Sequence, residues 1–262
     1  MGEIMIFDTH AHYDAEAFEE DRDVLLSSME ENGIGRIVNV SAEIKDLHKV
    51  IALAERYPFI YAAAGVHPDD AELVTEEVLD EVRRLAGHPK TVAIGEIGLD
   101  YYWHKDPQVH EIQKTVFRAQ LEIAREKGLP FIVHSRDAAA DTFEIVKEAA
   151  DTAVGGVIHC FSGSVELARE YVKLGFYIWI GGVVTFKNSR KLKEVAADIP
   201  LENIVLETDC PYLAPVPYRG KRNCSLYLPY VSRIIAELRG ITEEEVNEVT
   251  WNNAFRLFGR VE

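Results

Sequence analysis

Gly128-Leu129-Pro130-Phe131-Ile132-Val133-His134 is the stretch on which the fold turns. Residues 108–127 before it repeat apolar side chains at helical period, and Gly128 and Pro130 punctuate the return from helix to strand. Phe131, Ile132 and Val133 then form a short apolar, β-rich run with a histidine at its end. The same unit recurs along the chain. Apolar, β-rich runs lie at 4–8, 36–40, 60–66, 92–96, 130–134, 156–159, 176–180 and 203–207. Segments of helical period separate them at 21–32, 44–56, 76–85, 108–127, 138–149, 165–174 and 189–197, with Gly33, Pro58 and Gly175 as further breaks. Eight strands in strict alternation with helices favour an α/β fold of one closed (β/α)8 TIM barrel over an open sheet. A Pro-rich loop and two extra C-terminal helices follow, at 226–238 and 242–258, the second opened by Thr242 and Glu245 in capping-box spacing.

Size and composition fit that reading. The 262 residues, 47% of them hydrophobic, suffice for one barrel, so residues 1–262 are expected to form a single domain. No apolar run is long enough to span a bilayer, and Met1-Gly2-Glu3-Ile4-Met5 lacks the basic and long apolar segments of a secretory signal. A cytoplasmic protein without a membrane or obligate protein partner is expected. Cys160, Cys210 and Cys224 are odd in number and contain no Cys-x-x-Cys pair, which suits reduced thiols. A net charge of −16 argues against coating long nucleic acid, because such binding draws on Lys and Arg neutralising phosphates. A polyanionic substrate must then be held locally, and divalent cations can supply the missing positive charge.

Six residues able to bind metal stand at the ends of the expected strands: His10, His12, Glu96, His134, His159 and Asp209. In a parallel barrel those ends meet at one mouth, where such enzymes build active sites. His10 and His12 share a face if the first strand is extended there, so both can reach one ion. Glu96 ends an apolar run, where an isolated charge is too costly, and its two oxygens can serve two cations. His134 and His159 end neighbouring strands. Asp209 can bind an ion and also accept a proton from a water whose pKa the ion lowers. These residues are the set of a two-metal hydrolase, with Asp209 and Glu96 as its catalytic carboxylates. Four imidazoles suit Zn, Mn, Co or Ni better than Mg, which prefers oxygen ligands.

The motifs Asp8-Thr9-His10-Ala11-His12, Gly65-Val66-His67-Pro68, Ile94-Gly95-Glu96-Ile97-Gly98-Leu99-Asp100-Tyr101, Val133-His134-Ser135-Arg136, His159-Cys160-Phe161-Ser162-Gly163 and Glu207-Thr208-Asp209-Cys210-Pro211-Tyr212-Leu213 occur in order, followed by Arg219-Gly220-Lys221-Arg222-Asn223. Together they resemble the TatD-type metal-dependent deoxyribonucleases of the amidohydrolase-like superfamily. The resemblance implies one metal held by His10, His12, Glu96 and Asp209, a second held by Glu96, His134 and His159, and hydrolysis of DNA phosphodiesters from an end or on single strands. One stretch departs: where the family usually continues Arg-Asn with Glu-Pro-Ala, this chain has Asn223-Cys224-Ser225-Leu226, which loses an acid and a rigid turn.

Candidate substrate contacts are His67, Arg136, Arg219 and Arg222, since imidazole can hydrogen-bond phosphate and guanidinium forks fit it. Tyr101, Tyr102 and Trp103 can stack on bases or pack on the barrel. Two other functions share the barrel and ligand types: hydrolysis of an amide or ester in a small molecule, and non-catalytic binding of metal or nucleic acid. The basic cluster after Asp209 favours phosphate over the first. The full ligand set with its base, and the acidic charge, disfavour the second.

Overall fold

A computed structural model describes residues 5–150 and 155–262. Its strands are β1 (Ile6–Ala11), β2 (Ile34–Val40), β3 (Ile60–Ala63), β4 (Thr91–Asp100), β5 (Phe131–Arg136), β6 (Gly156–Ile158), β7 (Tyr177–Ile180) and β8 (Ile204–Leu206). The helices are α1 (Arg22–Ser27), α2 (Leu47–Arg56), α3 (Glu76–Leu85), α4 (Pro107–Lys127), α5 (Ala139–Ala150), α6 (Val165–Lys173), α7 (Arg190–Asp198), α8 (Leu228–Arg239) and α9 (Glu243–Leu257). The strands form one sheet in the order β1-β2-β3-β4-β5-β6-β7-β8. Parallel strands in chain order, each leading to a helix, are the (β/α)8 barrel with two added C-terminal helices that the sequence predicts. Ile4, in the first expected run, lies outside the described residues. Among the described residues no helix is long and apolar enough to cross a membrane.

Local chemistry sets the boundaries. Asp106 caps α4 by accepting the Gln108 N–H, Pro107 occupies its first turn, and Gly128 closes it in the left-handed region at φ 61°. Thr242 accepts the Glu245 N–H at 3.1 Å and opens α9. The expected helix at 21–32 is instead α1 followed by a 3-10 turn, Glu30–Asn32, ended by Gly33.

Two compact units divide the chain: Met1–Asn39, Cys160–Val172 and Tyr177–Arg256 in the first, and Val40–His159, Lys173–Phe176 and Leu257–Glu262 in the second. In the first, β1 pairs with β2 and β7 with β8, both parallel. Beyond β8, the Asp209 N–H donates to His10 O at 3.0 Å and Cys210 bridges to Ala11, so the chain after the last strand is seated against the end of the first. Phe7 packs edge-on against Phe255 of α9, and the Asn253 amide donates to Leu201 O and Ile204 O.

In the second unit β4 lies between β3 and β5, and all ten of its residues are buried. It runs to Asp100 rather than stopping at Glu96, because Ile97, Gly98, Leu99 and Asp100 keep pairing with Val133, His134, Ser135 and Arg136. Gly98, at φ 146°, brings the strands so close that a Cβ there would stand 2.0 Å from His134 O. Continued pairing therefore puts Glu96 and His134 inside strands, whereas His12, His159 and Asp209 lie just past theirs.

Candidate metal centre

In the first unit, the alternation of β1 puts Asp8 and His10 on one face, and His12 continues it. His10 Nε2 lies 2.9 Å from His12 Nε2. Asp209 Oδ1 stands 3.3 Å from His12 Nε2 and 3.7 Å from His10 Nε2. Asp209 reaches this position in the left-handed region, at φ 55°, with its N–H on His10 O and its carbonyl accepting the Tyr212 N–H. The fully buried Trp179 ring meets His10 edge-on at 4.7 Å and limits how the imidazole can turn.

Asp8 sits among hydroxyls. Its Oδ1 accepts the Thr208 N–H at 3.0 Å, and its Oδ2 accepts the hydroxyls of Thr208 at 2.7 Å and Ser225 at 2.6 Å. Burial pushes its carboxyl up to about 7, against the lowering effect of those bonds. Ser225 belongs to the stretch that departs from the family pattern, and its own N–H donates to Tyr13 Oη at 2.8 Å. Asn223 beside it donates to Thr208 O at 2.8 Å. The altered loop is thus tied to the segment that carries Asp209. Burial raises the thiols of Cys210, well above its usual value, and Cys224, to about 11, which suits structural thiols rather than thiolate ligands.

In the second unit, Glu96 Oε1 stands 2.7 Å from His134 Nδ1, 3.5 Å from His159 Nε2 and 3.8 Å from His67 Nε2. On its other edge, His134 Nε2 lies 3.2 Å from Asp100 Oδ2. Burial opposes a charge on His134, but the hydrogen bonds with Asp100 and Glu96 outweigh it and hold the imidazole up at about 9. Asp100 Oδ1 accepts the Tyr102 and Trp103 N–H groups at 2.8 and 2.9 Å. Despite burial, the bonds from His134 and Trp103 keep Asp100 below the usual carboxylate range. Asp69, engaged by His67 and His104, is held at about 2 against burial.

Each unit therefore gathers imidazole nitrogens around a carboxylate oxygen, the donor chemistry of a borderline divalent cation, whose binding at His134 would displace a ring proton. His10, His12 and Asp209 bring ligand atoms within 3.7 Å of one another in the first unit, and Glu96 Oε1 stands within 3.8 Å of His67, His134 and His159 in the second, spacings that a shared ion could occupy. Asp100 behind His134 stands where a carboxylate would orient a metal-bound histidine and fix its tautomer.

A family model described as TatD related DNase matches residues 7–259. The chain belongs to the TatD-related DNase family. An uncharacterized metal-dependent hydrolase, YabD of Bacillus subtilis, is 48% identical over 97% of this chain and 99% of its own. The crystal structure of the Escherichia coli K12 TatD homolog YjjV has a TM-score of 0.92 at 33% identity, covering 98% of this chain and 99% of that one. That of a TatD family hydrolase from Entamoeba histolytica has a TM-score of 0.84 at 26% identity, covering 98% and 99%. This chain is accordingly a TatD-family metal-dependent hydrolase.

The residues expected to touch substrate lie in varied settings on this TatD-family scaffold. His67 is part of the Glu96 and His134 cluster, its ring 4.4 Å from that of His134. Arg136, at the end of β5, lies 4.0 Å from the Tyr102 ring, so two of the aromatic residues after β4, Tyr102 and Trp103, pack against a cation. Tyr101 stacks on His110 at 3.6 Å. Arg219 lies 4.3 Å from the Phe186 ring. Arg222 forks onto Asp21, at 2.7 and 2.6 Å, and also donates to Ala17 O. Sequence reasoning passed over Asp8, Asp100, Thr208 and Ser225 as parts of the site. Asp8 and Asp100 had a usable signal, since each is an acid two or four residues from an expected ligand on an extended strand.

Proposed function

We propose that this TatD-family hydrolase cleaves phosphodiester bonds of DNA, at ends or on single strands, with two divalent cations. The observation that carries this reading is the paired donor set, His10, His12 and Asp209 in one unit and Glu96, His134 and His159 in the other. The family's description as DNases supports the substrate class. Divalent cations at such sites neutralise phosphate oxygens and lower the pKa of water.

The chain's own residues do the rest. Asp209, partly exposed beside His12, is placed to accept the proton that an attacking water loses. Asp100 holds the His134 ring so that Nδ1 stays directed at Glu96. His67, Arg136, Arg219 and Arg222 are the proposed phosphate contacts, the local positive charge that a chain of net charge −16 needs for a polyanion.

Oligonucleotides labelled at the 3′ or the 5′ end, incubated in turn with Zn, Mn, Ni, Co and Mg, test the reading. Metal-dependent release of labelled nucleotide is expected. Turnover of amide or carboxylic ester substrates with no oligonucleotide cleavage under any metal would replace it with small-molecule hydrolysis.

A further inference from the structure

The loop that follows β4 in the second unit carries an aromatic surface that the metal chemistry does not use. Trp103 is 65% exposed and Tyr102 42%, and the two rings meet edge to face with their centres 4.8 Å apart. Arg136, exposed at the end of β5, sets its guanidinium 4.0 Å from the centre of the Tyr102 ring and 5.4 Å from that of Trp103. Lys105 Nζ lies 5.3 Å from Tyr102 and also stands 4.0 Å from Asp137. Among the described residues no carboxylate pairs with Arg136.

Other groups hold the loop in place. Asp100 Oδ1 accepts the Tyr102 and Trp103 N–H groups, Tyr101 stacks on His110 and donates its hydroxyl to Asp141, and Lys105 donates to Tyr101 O. The indole of Trp103 therefore adds little to the fold where it stands, and its apolar face in water is a cost that a ligand would recover. Its position is specified all the same. Asp100 holds His134 through Oδ2 and the loop through Oδ1, so a ring on this loop keeps a fixed relation to the Glu96 and His134 cluster. An apolar protein segment would need more apolar surface beside the rings, and two cations lie there instead. Rings interleaved with cations make a surface for single-stranded nucleic acid, on which bases stack and phosphates meet the cations.

We propose that Trp103, buttressed by Tyr102, is a stacking platform for one unpaired base of the DNA strand near the bond that is cut, with Arg136 on the adjoining phosphate. The assignment rests on the nuclease reading above for its substrate. A base stacked between neighbours inside a duplex has no face to give, so the platform favours unpaired nucleotides. It accepts all four of them, because every base has a π-face.

The test is an abasic scan. KM is measured with the metal-loaded protein for a single-stranded oligothymidylate and for copies that carry one abasic sugar at each position in turn, in wild type and in Trp103→Ala. Trp103→Ala should raise KM about tenfold, the scale of one lost base stack, with kcat little changed. One abasic position should cost wild type the same factor and cost Trp103→Ala nothing, whereas every other position should cost both proteins alike. Trp103→Phe, which keeps a ring, should recover most of the affinity. Stacking also quenches an indole, so titration with a cleavage-resistant phosphorothioate oligothymidylate should dim the tryptophan emission of wild type and not that of Trp103→Ala. Wild-type KM in Trp103→Ala, or abasic penalties equal in the two proteins at every position, overturns the assignment. The two readings fail separately: quenching that Trp103→Ala abolishes, with no cleavage under any metal, sinks the nuclease and keeps the platform, whereas cleavage with the same KM in both proteins does the reverse.

Discussion

Asp100 Oδ2 lies 3.2 Å from His134 Nε2, on the far edge of the ring from Glu96. With the ring held up at about 9, Asp100 and Glu96 each accept one of its N–H groups, and a cation bound at Nδ1 would take the place of that proton and leave the other on Nε2, facing Asp100. Asp100→Asn keeps an oxygen for the Tyr102 and Trp103 N–H groups but can turn an amide N–H toward Nε2, favouring the other tautomer. Metal affinity should fall about 10- to 100-fold, the usual cost of losing such a partner. Competition with a chromogenic chelator measures it; unchanged affinity would make Asp100 a loop anchor only.

Glu96 and Asp209 are separable. Glu96→Ala should lower metal content below the wild-type level and abolish hydrolysis, because Glu96 is the carboxylate among the imidazoles of its unit. Asp209→Asn should retain the cation that Glu96, His134 and His159 would hold while kcat falls by about 10²-fold or more, the scale of general base catalysis. Elemental analysis beside single-turnover rates reads both. An active Glu96→Ala protein with wild-type metal content, or wild-type kcat in Asp209→Asn, contradicts these roles.

The buried Asp8 carboxyl gives the chelator-treated protein a pH signature. Its folded pKa of about 7 lies above the ordinary 3.8, so folding favours the neutral form. The stability this brings is fully present below pH 3.8 and is lost as pH rises through about 7. Asp8→Asn fixes the neutral state, so its urea midpoint should vary less between pH 4 and 7 than that of wild type. Parallel profiles for the two proteins would place the titration elsewhere.

The barrel was legible because alternation of apolar strand and helical period survives in a single sequence, and Gly128 and Pro130 marked a boundary that the structure keeps. The ligand candidates were legible because a histidine or acid at the end of an apolar run has few inexpensive roles. Strand ends were less so. The pairing of β4 with β5 beyond Glu96 depends on Gly98, whose close approach to His134 O exists only in three dimensions. The same holds for Ser225, which sequence marks only as a departure from a family pattern and which the fold brings to Asp8 across 217 positions.

Arg222 poses a competition between a neighbour and a substrate. Its guanidinium forks onto Asp21 and lies 4.8 Å from the Phe18 ring, with the carboxylate drawing its pKa upward. Solvent screens an exposed pair of this kind so that it contributes little, and a phosphate can displace Asp21 at modest cost. As a phosphate contact, Arg222→Ala should raise KM, and the slope of log affinity against log salt should become shallower by about 0.7 on a single strand. Asp21→Asn, which releases the fork, should lower KM instead, with kcat less affected in both variants. KM across a salt series in the three proteins decides: unchanged KM and slope in both variants would mean that the guanidinium serves Asp21 and Ala17 alone.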